Sequence, residues 1–216
     1  MSEQKSIQPF FLELHYLPCF EYFSKLNQGI PIILEQHENF KKGSYRNRCY
    51  FAGANGIQRL TIPLEKGRNN KKPIREVRIF NEENWQAQHW QSIQSAYGNS
   101  PFFEFYSDEI KPFYEQKFDL LWDFNWQLLE TFLAIIGLAP ELSFTEKFEG
   151  KSQKPCYNSI KPENDRPTVN NNFKCRRYAQ VFEERHGFLR NLSILDLLFC
   201  TGPAAISYLE TNIKHS

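Results

Sequence analysis

Residues 10–34 contain a strand, a helix and a second strand in quick succession, and this order constrains the fold more than any other feature. Residues 10–14 and 30–34 are apolar runs that predict short buried strands. Between them, Pro18 marks a helix start, because its missing N–H would have no partner there, and Gly29 marks a helix stop. Two strands joined by a helix predict a right-handed βαβ unit with adjacent parallel strands.

The rest of the chain predicts a hairpin followed by helices. Strands at residues 46–52 and 58–64 flank Asn55-Gly56, a pair that favours a tight hairpin turn. A basic loop at 65–73 and a strand at 74–80 follow. Helices are expected at 84–97, at 107–117 with a break at Pro112, at 120–138 with Asp119 as its cap, from Ser193, and from Pro203 to about residue 213.

These elements predict a mixed α/β (α+β) fold, with an N-terminal βαβ sheet and hairpin and a mainly helical C-terminal half. The length of 216 residues suits one compact domain spanning 1–216. Residues 149–174 are rich in Lys, Asn, Pro and Ser, which predicts a long loop or lid.

Charge and hydropathy narrow the possible partners. The net charge of +1 does not suit a protein that coats nucleic acid, so no nucleic-acid partner is expected. The apolar segment 120–138 is interrupted by Asp123 and Glu130, which argues against a membrane span. Residues 1–9 lack the apolar stretch of a secretory signal, and the five cysteines show no metal or redox spacing. We therefore expect a cytoplasmic protein with reduced thiols.

The densest group of polar side chains lies at residues 35–48, EQHENFKKGSYRNR. Arg46 and Arg48 are two positions apart, so on a strand they share a face and suit a phosphate or carboxylate. Lys41 and Lys42 precede them, and two further residues offer orienting hydrogen bonds, namely Tyr45 and Asn47. We predict a substrate-binding segment here. The alternative is a solvated basic edge strand, whose charges prevent aggregation.

Two histidines follow the two predicted parallel strands. His15 comes after the first strand, and Glu35 and His37 come after the second. Open α/β sheets bind ligands at this edge, and a histidine beside a carboxylate can act as a general base near neutral pH. We therefore name these three residues as candidate catalytic groups. The alternative for each histidine is a surface or capping role.

His89 and Tyr97 lie on one stripe of the predicted helix 84–97 and are candidate substrate-lining residues, with a place in the core as the alternative. Asp196 is interpreted as the capping partner of Ser193. The chain has no Gly-rich phosphate loop, dinucleotide fingerprint or nucleophile elbow. His15, Glu35 and His37 have no recognised metal spacing, so we predict neither a cofactor nor a metal.

Four segments resemble the WbqC-like family in order and spacing. They are HYLPCFEYF (15–23), EQHENFKKGSYRNRCYFAGANG (35–56), WQAQHWQSIQSAYGNSPFFEFY (85–106) and YAQVFEERHGFLRNLSILDLLFCTGP (178–203). The resemblance implies a bacterial protein of surface-polysaccharide or O-antigen biosynthesis, with glycyl or acyl transfer as its activity. It supplies no catalytic residues.

Three hypotheses follow. The first is a transferase that holds a phosphorylated or nucleotide-linked substrate on the basic residues and uses His15 or His37 as the base. The second is a non-catalytic protein that binds the same ligands. The third is a partner of a biosynthetic complex that docks through the basic strand.

Overall fold

The predicted βαβ unit is present at the start of the chain. A computed structural model describes residues 8–66, 72–148, 160–164, 166–167, 173 and 175–210. Strand β1 (Phe10–Leu12), helix α1 (Phe20–Leu26) and strand β2 (Ile32–Leu34) follow one another. The two strands pair in parallel, with Phe10 opposite Ile32. The predicted adjacent parallel strands are therefore confirmed.

The predicted hairpin is also confirmed. Strand β3 (Arg48–Gly53) pairs antiparallel with strand β4 (Gly56–Thr61). The predicted strand at 74–80 is wrong. Ile74–Glu76 forms a 3-10 turn, and the residues after it make only isolated bridges, between Ile79 and Leu64 and between Arg78 and Leu120. Residues 67–71 of the predicted basic loop lie outside the described part of the chain.

Helix α2 (Trp85–Tyr97) matches its prediction closely. The predicted division at Pro112 is confirmed, although helix α3 (Phe103–Ile110) begins earlier, in the aromatic run, and a 3-10 turn follows at Lys111–Tyr114. Helix α4 (Leu121–Ile136) ends at Gly137, whose φ of 77° suits glycine. The helix starts at Leu120 without a side-chain cap, so the capping role predicted for Asp119 is wrong.

A third strand of the parallel sheet was not expected from the sequence. Strand β5 (Leu142–Phe144) pairs in parallel with β2 and gives the order β1-β2-β5. Three residues are too few to show an alternating pattern. Only the pairing with a strand more than a hundred positions earlier defines β5.

The C-terminal part contains helices α5 (Glu183–His186), α6 (Ile194–Thr201) and α7 (Ala205–Leu209). Ser193 caps α6 as predicted, because its hydroxyl accepts a hydrogen bond from the Leu195 amide. The interpretation of Asp196 as the capping partner is wrong, since its carboxylate binds other groups in the core. Most of the predicted lid at 149–174 lies outside the described residues, and so does the predicted end of the last helix beyond residue 210.

Aromatic side chains fill the space between the sheet and the helices. The Phe124 ring of α4 is fully buried and lies at the centre. Its centroid is within 6.3 Å of five other rings, those of Tyr16, Trp85, Phe113, Tyr114 and Phe118. Because these rings come from the turn after β1, from α2 and from the segment before α4, they hold that turn, which carries His15, against the helices.

Candidate functional site

Polar residues directly follow all three parallel strands. Glu13 comes after β1, Glu35 after β2 and Thr145 after β5, and all three are buried. The Glu35 carboxylate accepts hydrogen bonds from the Thr145 hydroxyl at 2.8 Å and from the His37 amide at 2.9 Å. The carboxyl ends of parallel strands are where open α/β sheets bind ligands. The fold therefore places two buried carboxylates at that edge.

A groove of about 240 Å³ opens beside this edge of the sheet. It is lined by Phe11, Ile33, Phe144, Thr145, Glu146 and Lys147. Because the Thr145 hydroxyl also binds Glu35, the groove and the buried carboxylate share one residue. The groove lies next to the edge predicted from the strand order, and none of the predicted site residues lines it.

The Arg46 guanidinium lies between two carboxylates in the interior. Its Nη2 is 2.8 Å from an oxygen of Glu13, and its Nε donates to Glu38 at 2.8 Å. The same Nη2 also contacts Glu38. The Arg46 carbonyl accepts a hydrogen bond from Asn125 of α4 at 2.7 Å. The segment before β3 and helix α4 therefore hold this arginine beside the carboxyl end of β1.

His15 belongs to the same group. Its Nε2 is 3.8 Å from Glu13, and its ring packs against the rings of Tyr22 and Tyr45, at centroid distances of 4.9 and 5.3 Å. Burial lowers the pKa of His15, and Glu13 partly opposes this effect. The imidazole is therefore neutral at pH 7 and able to accept a proton. We call Glu13, His15, Glu38 and Arg46 the buried ionic cluster.

The buried ionic cluster contains two carboxylates and one guanidinium, all at most 3% exposed. Ionised groups this deep lose most of their hydration, and only close pairing compensates for the loss. Arg46 supplies that pairing to both carboxylates at once. The arrangement therefore fixes the side chain of Arg46 and leaves a neutral imidazole beside Glu13.

Exposed basic residues lie on the chain segments around this cluster. His37, Lys41 and Lys42 are exposed, and Arg48 is half-buried. The Phe40 amide donates to the Lys72 carbonyl at 2.9 Å, which brings Lys72 beside the segment that carries Lys41. We call Lys41, Lys42, Arg48 and Lys72 the basic rim.

The other two predicted binding residues of this segment lie inside. Tyr45 and Asn47 are buried, and the Asn47 amide donates to the Ile62 carbonyl at 3.0 Å. Tyr45 stacks on His15. The polar segment 35–48 therefore divides into exposed residues at the rim and buried residues that contact the cluster or the hairpin.

His89 and Tyr97 contact other groups. The Nδ1 of His89 is 2.9 Å from the Tyr16 hydroxyl, and burial lowers the pKa of His89 to about 4. Tyr97 donates to Asp196 at 2.9 Å. Their part in substrate binding stays a prediction, and their contacts here are those of core residues.

Asp196 forms a second buried polar group that the sequence pattern did not reveal. Its carboxylate accepts hydrogen bonds from Tyr97, Tyr178 and Gln180, at 2.9, 2.7 and 2.7 Å. Burial raises the pKa of this carboxyl, and the three hydrogen bonds oppose the rise. An acidic residue inside the apolar run of α6 was the available signal.

Sequence reasoning also missed Glu13 and Glu38. Glu13 stands between Leu12 and Leu14, and a carboxylate in an apolar run needs a buried partner. That signal pointed to a cation but not to Arg46. Glu38 lies within the selected segment, but its role depends on the approach of Arg46.

Two kinds of feature are absent from the parts of the chain that the structure describes, namely grouped metal-ligating side chains and membrane-length apolar helices. Among those residues, no three His, Cys, Asp or Glu side chains are grouped so that they could hold a metal ion. No helix found there has the length and apolar character needed to cross a membrane. Cys19, Cys49, Cys175 and Cys200 are free thiols.

Comparison with known proteins places the chain in a family. The uncharacterized protein Rv1507c of Mycobacterium tuberculosis is 27% identical to it over 226 residues, which cover 92% of this chain and 96% of that protein. No solved structure matches the chain. The model of the WbqC-like protein family matches residues 14–170, a span that contains every predicted site residue. The chain therefore belongs to the WbqC-like protein family.

Proposed function

We propose that this protein is a cytoplasmic transferase of surface-polysaccharide (O-antigen) biosynthesis. It binds a phosphorylated or nucleotide-linked donor at residues 35–48 and transfers an acyl group, such as glycyl, with His15 as the base. One observation carries the proposal. Glu13, at the carboxyl end of β1, contacts both Arg46 and His15, so an imidazole and the polar segment meet at one edge of the sheet.

The basic rim supports the proposed binding of a phosphorylated donor. Lys41 and Lys42 are exposed, and Lys72 joins them through the pairing of residues 38–40 with 72–74. Ammonium groups on exposed side chains bind phosphate oxygens by charge-assisted hydrogen bonds. Arg46 is held by Glu13 and Glu38, so its role in binding is to order the segment beneath the rim.

The chemical step uses His15 as a general base. The attacking amine or hydroxyl of the acceptor gives its proton to the imidazole, and its electron pair forms a bond to the acyl carbon of the activated donor. The bond from that carbon to the leaving group breaks, and the leaving group departs with the bonding electrons. His15 is only 2% exposed, so the acceptor reaches it only after a conformational change opens a path to the imidazole.

A second candidate function is non-catalytic binding of the same phosphorylated ligands. The deep burial of His15 favours it, because a binding protein needs the basic rim but no exposed base. The two functions share the ligand and differ in turnover.

Thermal-shift measurements against nucleotides, nucleotide sugars and aminoacyl donors test ligand binding. Both functions predict a higher melting temperature with a phosphorylated ligand, and Arg48→Ala removes the increase while the unliganded protein stays folded. Mass spectrometry with an activated acyl donor and an amine or hydroxyl acceptor then tests transfer. Binding without transfer supports the second function, and the absence of any ligand-induced increase contradicts both.

A further inference from the structure

The two oxygens of Glu13 face two different groups. Oε1 is 2.8 Å from Nη2 of Arg46, and Oε2 is 3.8 Å from Nε2 of His15. All three side chains are at most 2% exposed. One oxygen of this carboxylate therefore pairs with an arginine, which is always protonated, and the other lies near the imidazole.

The two ring nitrogens of His15 have different surroundings. Nε2 faces Glu13, whereas the structure gives the buried Nδ1 no hydrogen-bond partner among the residues it describes. A neutral imidazole carries one proton, and the nitrogen that faces a carboxylate is the one that keeps it. The other nitrogen then has a lone pair available.

We propose that Glu13 is a positioning residue for His15, which holds the neutral ring with its proton on Nε2 and leaves Nδ1 as the nitrogen that accepts the substrate proton. The inference rests on the proposed function, in which His15 is the base.

Two aromatic rings restrict the orientation of the His15 imidazole, which must stay fixed for Glu13 to select its protonated nitrogen. Tyr22 of α1 and Tyr45 before β3 flank the imidazole, tilted by 41° and 29° to its plane. A ring packed against two others does not flip about its bond to the backbone without moving its neighbours. Like Nδ1, the Tyr22 hydroxyl has no hydrogen-bond partner in the described part of the chain.

Three charged groups act on His15 from the elements around it. Glu13, after β1, raises the pKa of His15, while Arg46, before β3, and Lys25, on α1, lower it. Of these three groups, Glu13 alone stabilises the imidazolium that forms when Nδ1 accepts a proton. Removal of the Glu13 charge therefore lowers the pKa of His15, which makes it a weaker base, and also frees the imidazole to reorient.

The test is an NMR measurement of the His15 ring nitrogens, which needs no substrate. In the wild-type protein at neutral pH, the ¹⁵N chemical shifts are expected to show a protonated Nε2 and an unprotonated Nδ1. In Glu13→Gln, the pKa of His15 is expected to fall by about 1 or more, since an opposite charge at this range shifts a pKa by that amount. Glu38→Gln is the matched control, because it removes the other carboxylate on Arg46, and it is expected to shift the pKa of His15 less.

A proton on Nδ1 in the wild-type protein overturns the proposal. So does a pKa of His15 that is the same in Glu13→Gln as in wild type, or one that shifts equally in both variants. If Glu13→Gln does not fold, the position of the proton on His15 in the wild-type protein still tests the proposal. Because no readout depends on turnover, a protein with the expected tautomer but no transfer contradicts the proposed function and leaves the role of Glu13 in place.

Discussion

The Tyr97 hydroxyl donates a 2.9 Å hydrogen bond to the Asp196 carboxylate, and the two residues are 99 positions apart in the chain. The same hydroxyl accepts a hydrogen bond from the Ala52 amide of β3 at 3.3 Å. Tyr178 and Gln180 complete the set of donors around the carboxylate. One buried carboxylate therefore connects α2, α6 and the segment that precedes α5.

Asp196→Asn is expected to lower the free energy of unfolding by about 2 kcal/mol at neutral pH, because an amide NH₂ cannot accept the hydrogen bonds that one carboxylate oxygen receives. Burial raises the pKa of Asp196 above its ordinary 3.8, so the folded state holds the proton more tightly than the unfolded state. The stability of the wild-type protein therefore falls as the pH rises from the unfolded-state pKa of Asp196 to its raised folded-state pKa. Asp196→Asn lacks that fall.

Urea denaturation of both proteins from acid to neutral pH measures this difference. The deficit of Asp196→Asn is expected to shrink as the pH rises. Asp108→Asn is the matched control, because Asp108 is exposed on α3. A deficit in Asp196→Asn no larger than in this control would contradict the assigned role of Asp196.

Arg46→Met is expected to lower the free energy of unfolding by about 3–5 kcal/mol, because Glu13 and Glu38 are left buried without their cation. Adding Glu13→Gln and Glu38→Gln to this variant is expected to recover much of the loss, since the buried charges then disappear together. Arg78→Met is the control, because that arginine is 45% exposed and its loss is expected to change stability little. Chemical denaturation measures the free energy of unfolding of each variant. A triple variant less stable than Arg46→Met would show that unpaired buried charge is not the cause of the loss.

His89 is expected to make the protein less stable in mild acid. Burial lowers its pKa to about 4 from an ordinary 6.5, so the unfolded state takes up the proton first as the pH falls. Stability from this group is complete above pH 6.5 and decreases as the pH falls to 4, by on the order of 3 kcal/mol. His89→Asn keeps an acceptor near the Tyr16 hydroxyl and is expected to flatten this part of the pH profile. An equally steep profile in the variant would show that other groups cause it.

The double variant Lys41→Ala/Lys42→Ala is expected to weaken phosphorylated-ligand binding about tenfold or more, because each charge-assisted hydrogen bond to phosphate contributes on the order of 1.5–3 kcal/mol. Both lysines are exposed, so the melting temperature of the unliganded protein should change little. Isothermal titration calorimetry measures the affinity, with the exposed Lys117→Ala as the control. Unchanged affinity in the double variant would remove the basic rim from the binding site.

Long or strongly patterned elements were predictable because their signals are local. The stripe of α2, the Asn55-Gly56 turn and the apolar runs of β1 and β2 each appear within a dozen residues. Strand β5 and the isolated bridges at Arg78 and Ile79 were not predictable, because such short pairings form only where a distant segment supplies a partner.

The candidate site divides in the same way. The sequence determined that His15 and the polar segment 35–48 follow two parallel strands, since strand order fixes which ends share an edge. Contacts between distant segments hold Arg46 inside, against Glu13 and Glu38, and leave Lys41 exposed. The reason is physical, because the pairing of a buried charge depends on distances of a few ångströms between segments that are far apart in sequence, and local patterns do not encode them.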